Sequence, residues 1–158
     1  MPSKIAPHLW FDKEAKQAAE FYVSVFSRKG PARILTASKL NDTPSGNVDF
    51  VSFEILGTEF MAISAGPMFK FNESISFVIH CDTQEEIDYY WSSLSADPKA
   101  EQCGWLKDKF GLSWQVTPRV MGKMLTDKDP KKVARVTQAF LQMKKFDIAE
   151  LQRAYEGK

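Results

Sequence analysis

Cysteine is scarce in this chain: Cys81 and Cys103 are the whole supply, and no CxxC spacing joins them. A disulfide-stapled scaffold is therefore excluded, and both thiols are expected to be reduced, partly buried small residues. An excess of one charge is missing too. The 21 Lys and Arg stand against 20 Asp and Glu, a net charge of +1 at pH 7. That balance offers no electrostatic footprint for nucleic acid or an anionic membrane. No apolar run reaches membrane-spanning length, and Met1–Pro7 lacks the charged-then-apolar order of a secretion signal. A cytoplasmic protein with no nucleic-acid or membrane partner is expected. The glycines stand singly at turns, and no GxSxG elbow, Walker loop or HExxH helix occurs.

What is present is ordinary globular material. The chain has 158 residues, 44% hydrophobic and 26% charged, enough to bury a core as a single domain spanning 1–158. Ile5 to Phe11 reads as a strand, with Asp12 as the N-cap of a following helix. Ala15, Ala18, Ala19, Tyr22, Val25 and Phe26 recur at helical spacing as its apolar stripe. After the stop "RKGP" come strands at Ile34–Leu40, Val48–Leu56 and Glu59–Ser64, with the loop "NDTPSGN" and a tight turn at Gly57-Thr58 between them. These make a first βαβββ unit over 5–66.

The order then repeats over 73–118. Ser74–Cys81 alternates as a strand, and Thr83 with Glu86 forms a capping box ahead of Ile87, Tyr90, Trp91 and Leu94. Gly104–Asp108 and Leu112–Thr117 form a hairpin turning at Lys109–Gly111. This second copy is one strand short, or has two strands fused across Gln102–Asp108. From 119 to 158 the chain is a helical extension, with Asp129-Pro130 and Asp147 with Glu150 as helix starts. The fold class is α+β.

The stretches "LWFDKEAKQAAEFYVSVF", "EFMAISAGPMFKFNESISFVIHC", "QCGWLKDKFGLSWQV" and "FLQMKKFDIAELQRAYEG" resemble the PhnB-like family. That family often carries the label 3-demethylubiquinone-9 3-methyltransferase. It lies within the vicinal oxygen chelate superfamily of glyoxalase I, bleomycin-resistance proteins and extradiol dioxygenases. The resemblance covers nearly the whole chain. It implies that two βαβββ units curl into glyoxalase-like half-barrels enclosing a cleft, in a homodimer. The methyltransferase label is not matched by a strand, glycine-rich turn and helix for adenosylmethionine.

Metal-dependent members of the superfamily hold a divalent ion with His, Gln and Glu side chains from four strand positions. Those positions map by local pattern onto Ala6 (with His8 one pleat further on), Met61, Ser74 and Gln115. Of these, Gln115 is the credible ligand, and it is neutral; a thioether such as Met61 suits a hard ion poorly. No metal and no other cofactor is therefore expected.

Strand alternation places Ser113, Gln115 and Thr117 on one face of their strand and Leu112, Trp114 and Val116 on the other. The polar trio is expected to line a ligand pocket with Ser74, Ser76, His8, Trp10 and Met61, walled by Phe69 and Phe71. The partner implied is a small organic molecule. Two functions stay open: a metal-free binding module, or a small-molecule enzyme of the glyoxalase or dioxygenase type with a shifted metal site. The label's methyl transfer ranks behind both. His8 reads as a general base or as a strand histidine satisfied by backbone. Cys103 reads as packing rather than a nucleophile, because no histidine is near in sequence.

Overall fold

The computed structural model describes residues 4–158; Met1–Ser3, part of the stretch read above for a secretion signal, lie outside the described residues. Contacts divide the chain into two compact units, Met1–Phe71 and Asn72–Lys158.

The first unit runs β1 (His8–Phe11), α1 (Ala15–Phe26), β2 (Ala32–Thr43), β3 (Gly46–Ile55) and β4 (Thr58–Ser64). Its four-stranded sheet has the order β1-β4-β3-β2, with β1 parallel to β4 and the other pairs antiparallel. All six residues of the α1 stripe are buried. They pack on Leu9, Phe11, Val51, Phe53, Phe60 and Ala62, the inward half of each strand's alternation. Phe53 stacks on Phe60 at 5.4 Å between ring centroids, and Tyr22 of α1 stacks on Phe53 at 6.1 Å.

The start of α1 departs from expectation. Its N-cap is Glu14, with no side-chain cap bond, rather than Asp12. The free Ala15 N–H is instead taken at 3.0 Å by Ser64 Oγ from the end of β4, so a neighbouring strand caps the helix. The expected loop "NDTPSGN" is also shorter than its composition suggests. β2 continues to Thr43 and pairs with Gly46 across the turn residues Pro44-Ser45.

The second unit runs β5 (Phe77–Cys81), α2 (Gln84–Leu94), a short 3-10 turn, β6 (Trp105–Lys107) and β7 (Ser113–Pro118). Its three-stranded sheet has the order β5-β7-β6, again with the first strand parallel to the last. The strand in doubt shrinks to one bridge, Gln102 to Trp105. Trp105 N–H donates to Gln102 O at 2.8 Å and Gln102 N–H returns the bond at 3.2 Å. Between them Cys103 and Gly104 have φ of 48° and 80°, the paired positive values of a type I′ hairpin turn.

That turn has a second duty. The Cys103 and Gly104 N–H groups donate to Met143 O at 2.9 Å and Lys144 O at 2.7 Å. They thereby hold the segment joining the last two helices. The extension consists of α3 (Arg119–Leu125), α4 (Pro130–Leu141) and α5 (Ile148–Glu156) around Met124, Val136, Phe146 and Leu151. Gln84 at the start of α2 grips the same segment: its Nε2 donates to Phe146 O at 3.1 Å, and its Oε1 accepts Ile148 N–H at 2.9 Å. The run "QCGW" is thus a docking turn for the extension.

Thr83 Oγ1 caps α2 by accepting Glu86 N–H at 3.2 Å, and Glu86 Oε2 in turn accepts Asp82 N–H at 2.7 Å. Asp129 and Asp147 cap α4 and α5 as their positions predict. Among the described residues no helix is long and apolar enough to cross a membrane.

Candidate functional site

Each sheet has a helix-covered face and an open one. In the first unit the register places His8 beside Met61, Met61 beside Ser52, and Ser52 beside Thr36. The next row on that face reads Trp10, Ile63, Phe50 and Ser38. Neighbours in register share a face, so His8, Trp10 and Met61 lie together on the open side. The exposed His8 ring meets Phe50 edge-on at 5.9 Å. Trp10 donates its indole N–H to Gly66 O at 2.8 Å and meets Phe69 at 4.9 Å, while Phe69 stays 58% exposed. Phe71 takes another course, packing on Phe11, whose side chain belongs to the opposite face from Trp10.

Two further residues complete this side. Ser52 is buried, and its Oγ donates to Glu59 Oε1 at 2.9 Å. This polar pair lies directly below Met61, since Glu59 is two residues before it on the same face of β4.

In the second unit Gln115 stands between Val78 on β5 and Trp105 on β6. Its Nε2 donates to Ser76 Oγ at 2.9 Å, which joins two of the expected residues. Ser113, one pleat along, is buried and faces Lys107 across the antiparallel pair. Thr117 is in register with His80. Ser74 precedes β5, is exposed and donates to Asn72 Oδ1 at 2.5 Å. Lys107 is ion-paired with Glu73, and that contact holds the Glu73 carboxyl below the usual carboxylate range.

The hairpin carrying Gln115 is fixed by Asp108. This buried carboxylate accepts Phe110 N–H at 2.8 Å and Leu112 N–H at 3.1 Å on Oδ1, and the Trp114 indole N–H at 2.8 Å on Oδ2. Gly111, with φ of 83°, closes the three-residue turn. Trp114 and Val116 are buried beneath α2, so Gln115 faces the opposite, open side.

The family model described as 3-demethylubiquinone-9 3-methyltransferase matches residues 3–117. The PhnB protein of Bacillus cereus is 30% identical, over 73% of this chain and 99% of that chain, with a TM-score of 0.60. The chain belongs to this PhnB-like family. A Pseudomonas aeruginosa protein is similar in fold at 16% identity, over 73% of this chain and 97% of that chain, with a TM-score of 0.55. So is a mutant of the fosfomycin resistance protein FosX from Listeria monocytogenes, complexed with Mn(II) and 1S,2S-dihydroxypropylphosphonic acid. It is 16% identical, over 73% of this chain and 92% of that chain, with a TM-score of 0.51. A search of the curated proteins finds no match. The PhnB-like chain is accordingly a vicinal oxygen chelate superfamily protein.

Neither group that the family implies fits these residues. For a divalent ion, the mapped positions bring a thioether at Met61 and a neutral amide at Gln115 whose nitrogen already serves Ser76. Among the described residues no three His, Cys, Asp or Glu side chains are placed to hold a metal ion. For adenosylmethionine, a glycine turn before a helix is needed to present N–H groups to the ligand. Gly57, Gly104 and Gly111 instead occupy turns between strands, with φ of 80° to 83°.

The two thiols differ in kind. Cys81 is buried in β5, and that burial, reinforced by Glu86 and Asp82, pushes its pKa up to about 12. Cys103 is only partly covered, in its positive-φ turn. Alkylation with iodoacetamide at pH 8, followed by peptide mass spectrometry, is expected to modify Cys103 while Cys81 stays free until the protein is unfolded. Faster labelling of Cys81 would show that β5 opens in the native state.

Proposed function

We propose that this PhnB-like protein binds a small organic molecule without a divalent ion, as a cytoplasmic homodimeric binding module rather than an enzyme. The Gln115 to Ser76 hydrogen bond carries this reading. It sets a neutral, hydrogen-bonding pair where metal-dependent relatives of the superfamily carry a ligand to the ion, and Trp105 and Val78 flank it with apolar surface. The open face of the first sheet supports the reading in the same way, with Trp10, Phe69 and Met61 around a few polar groups. His8 meets the Phe50 ring, and among the described residues no carboxylate is hydrogen-bonded to it to orient it for proton transfer. Methyl transfer has no support in the glycine placement.

Native mass spectrometry of protein purified without a polyhistidine tag tests the reading. Wild type is expected to retain an organic mass that Gln115→Ala loses while its circular dichroism spectrum is unchanged. Release of a bare polypeptide mass by wild type under gentle ionisation would contradict it.

A further inference from the structure

Ser113 is 1% exposed, and its Oγ has no hydrogen-bond partner among the described residues. A buried hydroxyl without a partner is costly, and an alanine would fill the same strand position without that cost. Ser113 shares its face of β7 with Gln115, two residues on. Gln115 uses its Nε2 on Ser76, and its Oε1 takes no part in that bond. The cation nearest in register is Lys107, opposite Ser113, and Glu73 already neutralises it. Trp105 and Val78, the latter 45% exposed, stand on either side of Gln115.

We propose that this face of the second sheet is a subsite for an uncharged hydrogen-bonding group, such as an amide, urea or alcohol, carried on a ring. The Ser113 hydroxyl and the Gln115 Oε1 are its partners, one able to donate and the other accepting. Trp105 and Val78 flank the ring. The inference rests on the binding reading above and narrows it. A carboxylate or phosphate is disfavoured because, when ionised, it has no hydrogen to donate to the Gln115 Oε1 and Lys107 is already paired with Glu73, whereas a neutral amide meets both partners. A ligand would also supply the partner that this buried strand serine lacks.

Benzamide and benzoate, which differ in charge but hardly in shape, separate the outcomes in a nitrogen-15 NMR titration. Benzamide is expected to shift the Gln115 side-chain and Trp105 indole signals, with benzoate weaker by about tenfold. Ser113→Ala should weaken benzamide by about fivefold while the rest of the spectrum is kept. Glu73→Gln frees Lys107 and should narrow the preference for benzamide over benzoate. Unchanged benzamide affinity in Ser113→Ala, equal or tighter binding of benzoate by wild type, or no benzamide shift at Gln115 would each overturn the subsite. If an organic mass still copurifies in those cases, the binding reading survives and only the subsite falls. If none does, both fall.

Discussion

Replacing Gly104 by alanine is expected to lower stability by about 3 kcal/mol. Two costs add. The residue has φ of 80°, which an L side chain adopts at about 1–2 kcal/mol. Its new Cβ would also lie 2.4 Å from the Phe146 ring and 3.0 Å from Val116 O. Phe146 is 2% exposed at the centre of the extension's core, so relief requires moving the ring or breaking the turn's bonds to Met143 and Lys144. Gly57→Ala isolates the first cost: φ is 82° there, but a Cβ would meet nothing within 4 Å. Urea unfolding should therefore show a loss for Gly104→Ala larger than that for Gly57→Ala by about 1–2 kcal/mol. Equal losses would mean that the "QCGW" turn does not press on the extension.

Asp108→Ala is expected to cost about 3–4 kcal/mol, because it removes the acceptor for two backbone N–H groups and the Trp114 indole at once. The individual bonds do not simply sum, since they share one carboxylate. Asp108→Asn keeps one carbonyl oxygen and should cost about half as much. Unfolding followed by tryptophan fluorescence reads the loss directly, as Trp114 is 2% exposed and bonded to the residue removed. A loss below about 0.5 kcal/mol for the alanine variant, the range of ordinary surface changes, would show that the turn holds its shape without Asp108. The expected consequence for the site is loosening of Gln115, which is one residue from Trp114 on the same strand.

Periodicity reported much of this fold because each element buries one face. The six positions of the α1 stripe are all buried, and the capping residues Thr83, Asp129 and Asp147 all act as caps. The turn at Lys109–Gly111 fixed the pairing of its strands, so Trp105 opposite Gln115 could have been counted from the sequence. Long-range contacts were not legible in this way. Nothing local shows that Ser64 caps α1 in place of Asp12, or that the amides of Cys103 and Gly104 reach Met143 and Lys144. The apolar positions of α4 are not all covered. Val136 is buried, but Leu141 is 49% exposed, since the helix packs only along one narrow line. At the site, alternation gave the face of Gln115, but its bond to Ser76 depends on the parallel pairing of distant strands. Ser52 with Glu59 was likewise hidden, because a serine in an alternating strand looks like any solvated position.

Metal stoichiometry decides the central point most directly. Inductively coupled plasma mass spectrometry should be run on tag-free protein, before and after incubation with excess manganese, zinc and nickel and subsequent desalting. Well under one ion per chain, with the same residual content in wild type and Gln115→Ala, is the predicted result. One ion retained per chain by wild type and lost from Gln115→Ala would contradict a metal-free site.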